Sequence, residues 1–140
     1  MTIDHRQLGV DLFNVVWRLI ETREDDERML HAAHASRFHW GEAPDCKPEN
    51  LARGEWQVSR VYTVLGLAEP ALRHAQRCIG ICQANGIGDW DLAYAHEAIA
   101  RAYKTADMPA EAAAHAKLAA EVPVADDEDR EHLAQDLATL

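Results

Sequence analysis

An internal repeat with a period of 41 residues constrains the fold of this chain more than any other feature. The residues that recur at this spacing are Arg60, Tyr62, Ala71, His74 and Ala75, which return as Arg101, Tyr103, Ala112, His115 and Ala116. A repeat of this length is typical of a helix-turn-helix unit. Neighbouring units stack because each buries a face that it cannot bury alone. The repeat therefore predicts a stack of helical hairpins.

Apolar residues at helical spacing run through the whole chain, and alternation at the period of a strand is hard to find. Prolines, glycines and capping residues divide this pattern into seven predicted helices. We expect them at about 4–21, 25–40, 49–66, 70–85, 90–106, 110–121 and 126–137, with Asp89 as N-cap of the fifth. This predicts one all-α domain over 1–140, comprising a hairpin over 1–40, repeat units over 49–86 and 89–122, and a C-terminal helix over 126–140.

Charge and composition restrict the partners. The chain carries 14 Lys and Arg against 24 Asp and Glu, a formal net charge of −10, so its own field repels nucleic-acid phosphates and anionic membranes. Apolar runs are shorter than the roughly 20 residues that span a bilayer. The first residues lack the pattern of a signal peptide, and three cysteines without a framework spacing suit a reducing compartment. We expect a cytoplasmic protein that binds neither nucleic acid nor membrane.

Small residues and one tyrosine recur where two helices of a unit would touch. They are Val58, Ser59, Tyr62, Ala71 and Cys78 in one unit and Ile99, Ala100, Tyr103, Ala112 and Ala119 in the next. With Pro123 near its end, the stretch 49–124 resembles the tetratricopeptide repeat superfamily. The resemblance implies antiparallel helix hairpins stacked as a short right-handed superhelix. It implies no particular activity.

A polar stripe marks the side of the predicted third helix that would face the concave groove of such a stack. It consists of Asn50, Arg53, Gln57 and Arg60, and its equivalents in the next repeat include Asp91, Tyr94 and Arg101. The three arginines predict a cationic patch suited to a carboxylate or phosphate. Our first hypothesis is therefore a non-enzymatic module that holds a protein or peptide partner in this groove. Alternatively, the arginines pair internally with Glu49, Glu55, Glu97 or Asp91.

A second hypothesis is a small-molecule binder or enzyme with a pocket beside the 41–48 loop. Its residues would be His39, Trp40, Asn50, Arg53, Glu55, Trp90, Asp91 and His96. Trp40, Trp56 and Trp90 either frame this pocket or seal the hairpins as core residues. Glu55 and His96 hold equivalent positions in neighbouring repeats and are expected to face each other, where a carboxylate can orient an imidazole as a general base. No nucleophile accompanies them, so no catalytic residue is assigned.

Two sets of potential zinc ligands also stand out. One is His31, His34 and His39, and the other is His74, Cys78 and Cys82, spaced by four along one helix face. Neither belongs to a CxxC pair or an HExxH motif, and three groups along one helix cannot close a tetrahedron. No metal or other cofactor is expected. A homo-oligomer, in which the C-terminal helix or the N-terminal hairpin covers exposed repeat ends, is a third possibility.

Overall fold

The structure, a computed structural model, describes residues 2–140. Met1, where the predicted N-terminal hairpin begins, lies outside the described residues. Residues 2–140 form seven α-helices and no strand, which confirms the all-α prediction. The helices are α1 (His5–Thr22), α2 (Asp26–Glu42), α3 (Pro48–Val64), α4 (Ala68–Ala84), α5 (Asp89–Thr105), α6 (Pro109–Glu121) and α7 (Asp127–Leu137). Within the same residues, no helix has the length and apolar character needed to cross a bilayer.

Successive helices pack as three hairpins, α1 with α2, α3 with α4 and α5 with α6. Contacts of α2 with α3 and of α4 with α5 join the hairpins into a stack, and α7 packs on α5 and α6. The first helices of the hairpins, α1, α3 and α5, also lie next to one another. This arrangement gives the stack one face made of first helices, and α7 lies at its C-terminal end.

Capping residues explain where several helices begin. The carboxylates of Asp4, Asp25 and Asp126 each accept a hydrogen bond from a backbone N–H in the first turn of α1, α2 and α7. Pro48 and Pro109 occupy first-turn positions of α3 and α6, where the missing N–H leaves no hydrogen bond unmade. These local signals are readable in the sequence, and the observed helices therefore lie close to the predicted ones.

The start of α5 differs from the prediction. Asp89 was expected to be the N-cap, but the cap is Gly88 and Asp89 is the first helical residue, with a φ of 54°. A short aspartate tolerates this left-handed conformation better than most residues do. Its carboxylate accepts hydrogen bonds from the backbone N–H of Trp90 at 2.7 Å and of Ala125 at 3.2 Å. Asp89 therefore joins the start of α5 to the linker before α7.

Residues that repeat in the sequence also repeat their contacts. The ring of Tyr62 stacks on His74 with centroids 5.7 Å apart, and its equivalent Tyr103 stacks on His115 at 5.5 Å. The small residues lie buried between paired helices, and the hydroxyl of Ser59 donates to the carbonyl of Ala71 at 2.8 Å. The 41-residue spacing thus describes one hairpin geometry used twice.

Candidate ligand-binding cleft

The face made of α1, α3 and α5 contains a cleft, and α7 forms its far wall. Two cavities lie in it. The aromatic cavity, of about 340 Å³, is lined by Phe13, Trp17, Arg53, Trp56, Trp90, Tyr94, Asp129, His132 and Asp136. The amide cavity, of about 290 Å³, is lined by Arg6, Val10, Phe13, Asn14, Trp40, Asn50, Arg53 and Gly54. Because both share Phe13 and Arg53, the cavities adjoin and form one elongated cleft.

All four tryptophans of the chain line this cleft. The ring of Trp56 lies 5.4 Å from that of Trp17 and 5.5 Å from that of Tyr94, and Tyr94 in turn contacts Trp90 at 5.8 Å. These rings form a continuous wall from α1 to α5. The sequence left open whether the tryptophans frame a pocket or seal the core, and the structure places them at the edge of the two cavities.

Arg53 lies at the centre of the cleft and is paired with a neighbouring helix. Its guanidinium donates to both carboxylate oxygens of Asp91, at 2.9 and 3.0 Å, and its Cζ lies 4.9 Å from the ring centroid of Trp90. About 40% of the Arg53 side chain stays exposed, whereas Asp91 is only 11% exposed. Arg53 is therefore held in a fixed orientation, and its charge is compensated by the carboxylate of Asp91.

Arg60 and Arg101 do not form an open cationic patch. Arg60 donates to Glu97 at 3.2 Å and Arg101 donates to the same carboxylate at 2.6 Å. The carboxylate of Glu97 has no exposed surface, so the two arginines satisfy a buried charge. The prediction of a free cationic patch is wrong because Asp91 and Glu97, two of the four partners named as the alternative, take up all three arginines.

The other residues of the polar stripe divide between scaffold and cleft. Gln57 is buried, and its amide donates to the carbonyl of Phe13 at 3.0 Å, which ties α3 to α1. Asn50 accepts from the backbone N–H of Lys47 at 3.0 Å and still lines the amide cavity. Gln57 is thus a structural residue, while Asn50 caps α3 and reaches the cleft.

The C-terminal helix covers the end of the predicted groove. The hydroxyl of Tyr94 donates to Asp136 at 2.7 Å, and Arg101 donates to the carbonyl of Asp136 at 3.0 Å and to Thr139 at 2.8 Å. Burial, followed by this hydrogen bond to Asp136, raises the pKa of Tyr94 well above its usual value. The cleft therefore ends at Tyr94, and Arg101 lies behind it under the chain's own C-terminal segment.

Glu55 and His96 do not face each other. Glu55 accepts a hydrogen bond from His74 of its own hairpin at 3.0 Å, and His96 stacks on His115 of its own hairpin at 6.3 Å. Both positions point toward the second helix of their hairpin, which is why the predicted pairing across repeats is wrong. Burial raises the pKa of Glu55, but the hydrogen bond and the charge of His74 lower it by more than that, so the pKa lies below its usual value. Neither residue lines the aromatic or the amide cavity.

The potential zinc ligands have separate partners. His31 lies beside Glu27, His34 shares a hydrogen bond with Tyr62 at 2.9 Å, and His39 shares one with His5 at 2.8 Å. Cys78 and Cys82 are free thiols in the core, and the hydrogen bond between them, with burial, raises the pKa of Cys78. Over residues 2–140 no three His, Cys, Asp or Glu side chains are grouped so that they could hold a metal ion.

Several cleft residues lie outside the repeat and were not predicted. Phe13 and Trp17, four residues apart, share one face of α1, and Asp129, His132 and Asp136 share one face of α7. This helical spacing was the signal that could have identified them. Nothing in the repeat relates α1 or α7 to α3 and α5, so only the tertiary arrangement brings them together.

The chain matches no protein-family model, no curated protein and no solved structure. What the cleft can bind therefore follows from its own geometry and chemistry.

Proposed function

We propose that this protein is a cytoplasmic, tetratricopeptide-repeat-like interaction module that binds a segment of a protein or peptide partner in the cleft and has no catalytic activity. The observation that carries the proposal is the pair of adjoining cavities, about 340 and 290 Å³, on the face made of α1, α3 and α5. First helices line the binding surface of helical-repeat proteins because that side of the stack is concave. An elongated cleft with two compartments suits a chain segment that places successive side chains in each.

The chemistry of the two cavities supports a peptide. Asn14 of α1 is exposed at the amide cavity, and its side chain has no hydrogen-bond partner in residues 2–140. The amide nitrogen of Asn50 is also free there, since only its oxygen caps α3. Amide side chains supply both donors and acceptors, which is what an extended peptide backbone needs. The aromatic cavity offers large apolar surfaces for a side chain.

The three arginines of the predicted patch differ in their contribution to binding. Arg53 lines both cavities and keeps about 40% of its side chain exposed, so we assign it to the binding surface. Arg60 and Arg101 retain 19% and 16% side-chain exposure and serve Glu97, so they support the scaffold. Replacing Arg60 is consequently a poor test of binding, because the variant changes stability as well.

The two phenylalanines of the chain provide a matched test. Phe13 lines both cavities, whereas Phe38 on α2 is 58% exposed and lines neither. A display library of random linear peptides is selected on the full chain, and enriched peptides are titrated by tryptophan fluorescence. We expect Phe13→Ala to lower the affinity for these peptides by about tenfold, because it removes an aromatic side chain from the contact surface. Phe38→Ala should leave the affinity unchanged. Equal affinities for both variants, or a selection that enriches no peptide, would contradict the proposal.

A small organic ligand is the second candidate. The observation in its favour is the volume of the aromatic cavity, about 340 Å³, which falls in the range of about 300–1,000 Å³ that is usual for ligand pockets. A compound library screened by thermal shift separates the candidates. Compounds that stabilise wild type but not Phe13→Ala, combined with no enriched peptide, would favour the small ligand.

A further inference from the structure

Three of the four tryptophans in the cleft form a cation–π contact with an arginine of the same chain. The guanidinium carbons lie near the ring centroids in the pairs Arg6 with Trp40 at 5.0 Å, Arg53 with Trp90 at 4.9 Å and Arg60 with Trp56 at 5.9 Å. Trp17 is the exception, since no Arg or Lys of residues 2–140 lies over its ring. It contacts Phe13 edge-on at 5.8 Å and Trp56 at 5.4 Å, and it lines the aromatic cavity.

A carboxylate without a cation lines the same cavity. Asp129 reaches it from α7, and its side chain has neither an ion pair nor a hydrogen bond with any described residue. The neighbouring Asp136 is engaged by the hydroxyl of Tyr94 at 2.7 Å. The one arginine in the lining, Arg53, is compensated by Asp91 through two hydrogen bonds, and the histidine of the lining, His132, lies 3.7 Å from the carboxylate of Asp136. The uncompensated charge of the aromatic cavity is therefore negative and comes from α7.

We propose that the aromatic cavity receives a lysine or arginine side chain of the bound segment, with its cation between the ring of Trp17 and the carboxylate of Asp129. This inference rests on the proposed function. A cation over an indole face is attracted by the ring quadrupole, and the attraction is stronger where water is partly excluded. The net charge of −10 steers such a basic segment toward the protein.

Other side chains fit this cavity less well. An acidic side chain would meet Asp129 and Asp136 with no free arginine to offset them. An apolar side chain would fill the aromatic part but would take Asp129 out of water without a partner, which costs free energy. A cationic side chain satisfies the free ring and the free carboxylate together.

The test uses the peptides enriched on the full chain, synthesised with each Lys or Arg replaced in turn by Gln. We expect one replacement to weaken binding by about tenfold, since it removes both the cation–π contact and the charge pair. Asp129→Asn should weaken binding of the parent peptide by about fivefold. It should not change binding of the peptide that carries Gln at that position, because the charge pair with Asp129 is already absent there. The matched control is Glu128→Gln, which removes an exposed carboxylate one position away that does not line the cavity.

The outcomes separate this inference from the function on which it rests. Peptides that depend on Phe13 but tolerate every Lys or Arg replacement would overturn the cationic assignment and leave the peptide-binding cleft intact. Equal effects of Asp129→Asn and Glu128→Gln would overturn the assignment to Asp129. Enrichment of no peptide would overturn the peptide-binding function together with the inference.

Discussion

Arg60 and Arg101, 41 residues apart at equivalent positions of two repeats, donate to one carboxylate, that of Glu97. Arg101 reaches it from one turn further along α5, and Arg60 reaches it from α3. The arginine that recurs in the sequence thus marks an internal charge cluster between adjacent first helices. It joins α3 to α5 on the face that carries the cleft, and neither arginine lines the aromatic or the amide cavity.

Glu97→Gln should destabilise the protein by roughly 3 kcal/mol, because it leaves two arginines partly buried without their charge partner. The value lies at the lower end for broken buried pairs because both arginines keep some contact with water. Urea unfolding followed by circular dichroism measures the change. The control is Glu69→Gln, whose carboxylate is 81% exposed and lies 4.0 Å from Arg73, and which should cost less than about 1 kcal/mol. Similar losses for the two variants would contradict the structural role of Glu97.

Stability should fall as the pH drops below about 6.5. Burial, followed by the nearby charge of His74, lowers the pKa of His34, and burial followed by His115 lowers that of His96. A histidine with a lowered folded-state pKa binds fewer protons folded than unfolded. Its contribution is complete above the unfolded pKa of about 6.5 and is lost as the pH falls through the folded pKa. Urea unfolding from about pH 8 to pH 5.5 tests this, and His96→Gln should flatten part of the dependence. Stability that stays constant or rises over this range would refute it.

Docking of α7 should depend on Leu133. This side chain is 5% exposed and packs with Ala93, Tyr94 and Val124. Leu133→Ala should cost about 2–3 kcal/mol and speed amide hydrogen exchange throughout α7, because the helix has few other buried contacts. The matched control is Leu118→Ala on α6, where the leucine is 42% exposed and the cost should stay below about 0.5 kcal/mol. Exchange in α7 that is unchanged by the Leu133 substitution would show that polar contacts hold the helix.

The helices and the face that carries the cleft were predictable because their determinants are local or periodic. Asp25 and Pro48 mark helix starts by the chemistry of their own backbone neighbours. Asn50 and Arg53 lie on one side of α3 by helical spacing alone, and both line the cleft. Such signals need no knowledge of what another helix contributes.

The partners of the long charged side chains were not predictable. From the sequence, Glu55 and Glu97 were equally plausible partners for the arginines. In the structure, Arg60 and Arg101 donate hydrogen bonds to Glu97, and His74 forms a hydrogen bond with Glu55. Which pairing forms depends on the rotation of each helix about its axis. The cleft walls from α1 and α7 escaped prediction for a related reason, since no repeat places those helices relative to α3 and α5.

Entry of a partner's cation into the aromatic cavity beside Trp17 can be measured by fluorine NMR of protein labelled with fluorotryptophan. The chain has four tryptophans, so the spectrum should contain four resonances, and Trp17→Phe identifies one of them. An arginine-containing peptide from the selection should shift the Trp17 resonance most, and its glutamine counterpart, added to the same degree of saturation, should shift it much less. A peptide that binds while the Trp17 resonance does not shift would contradict a cation site beside Trp17.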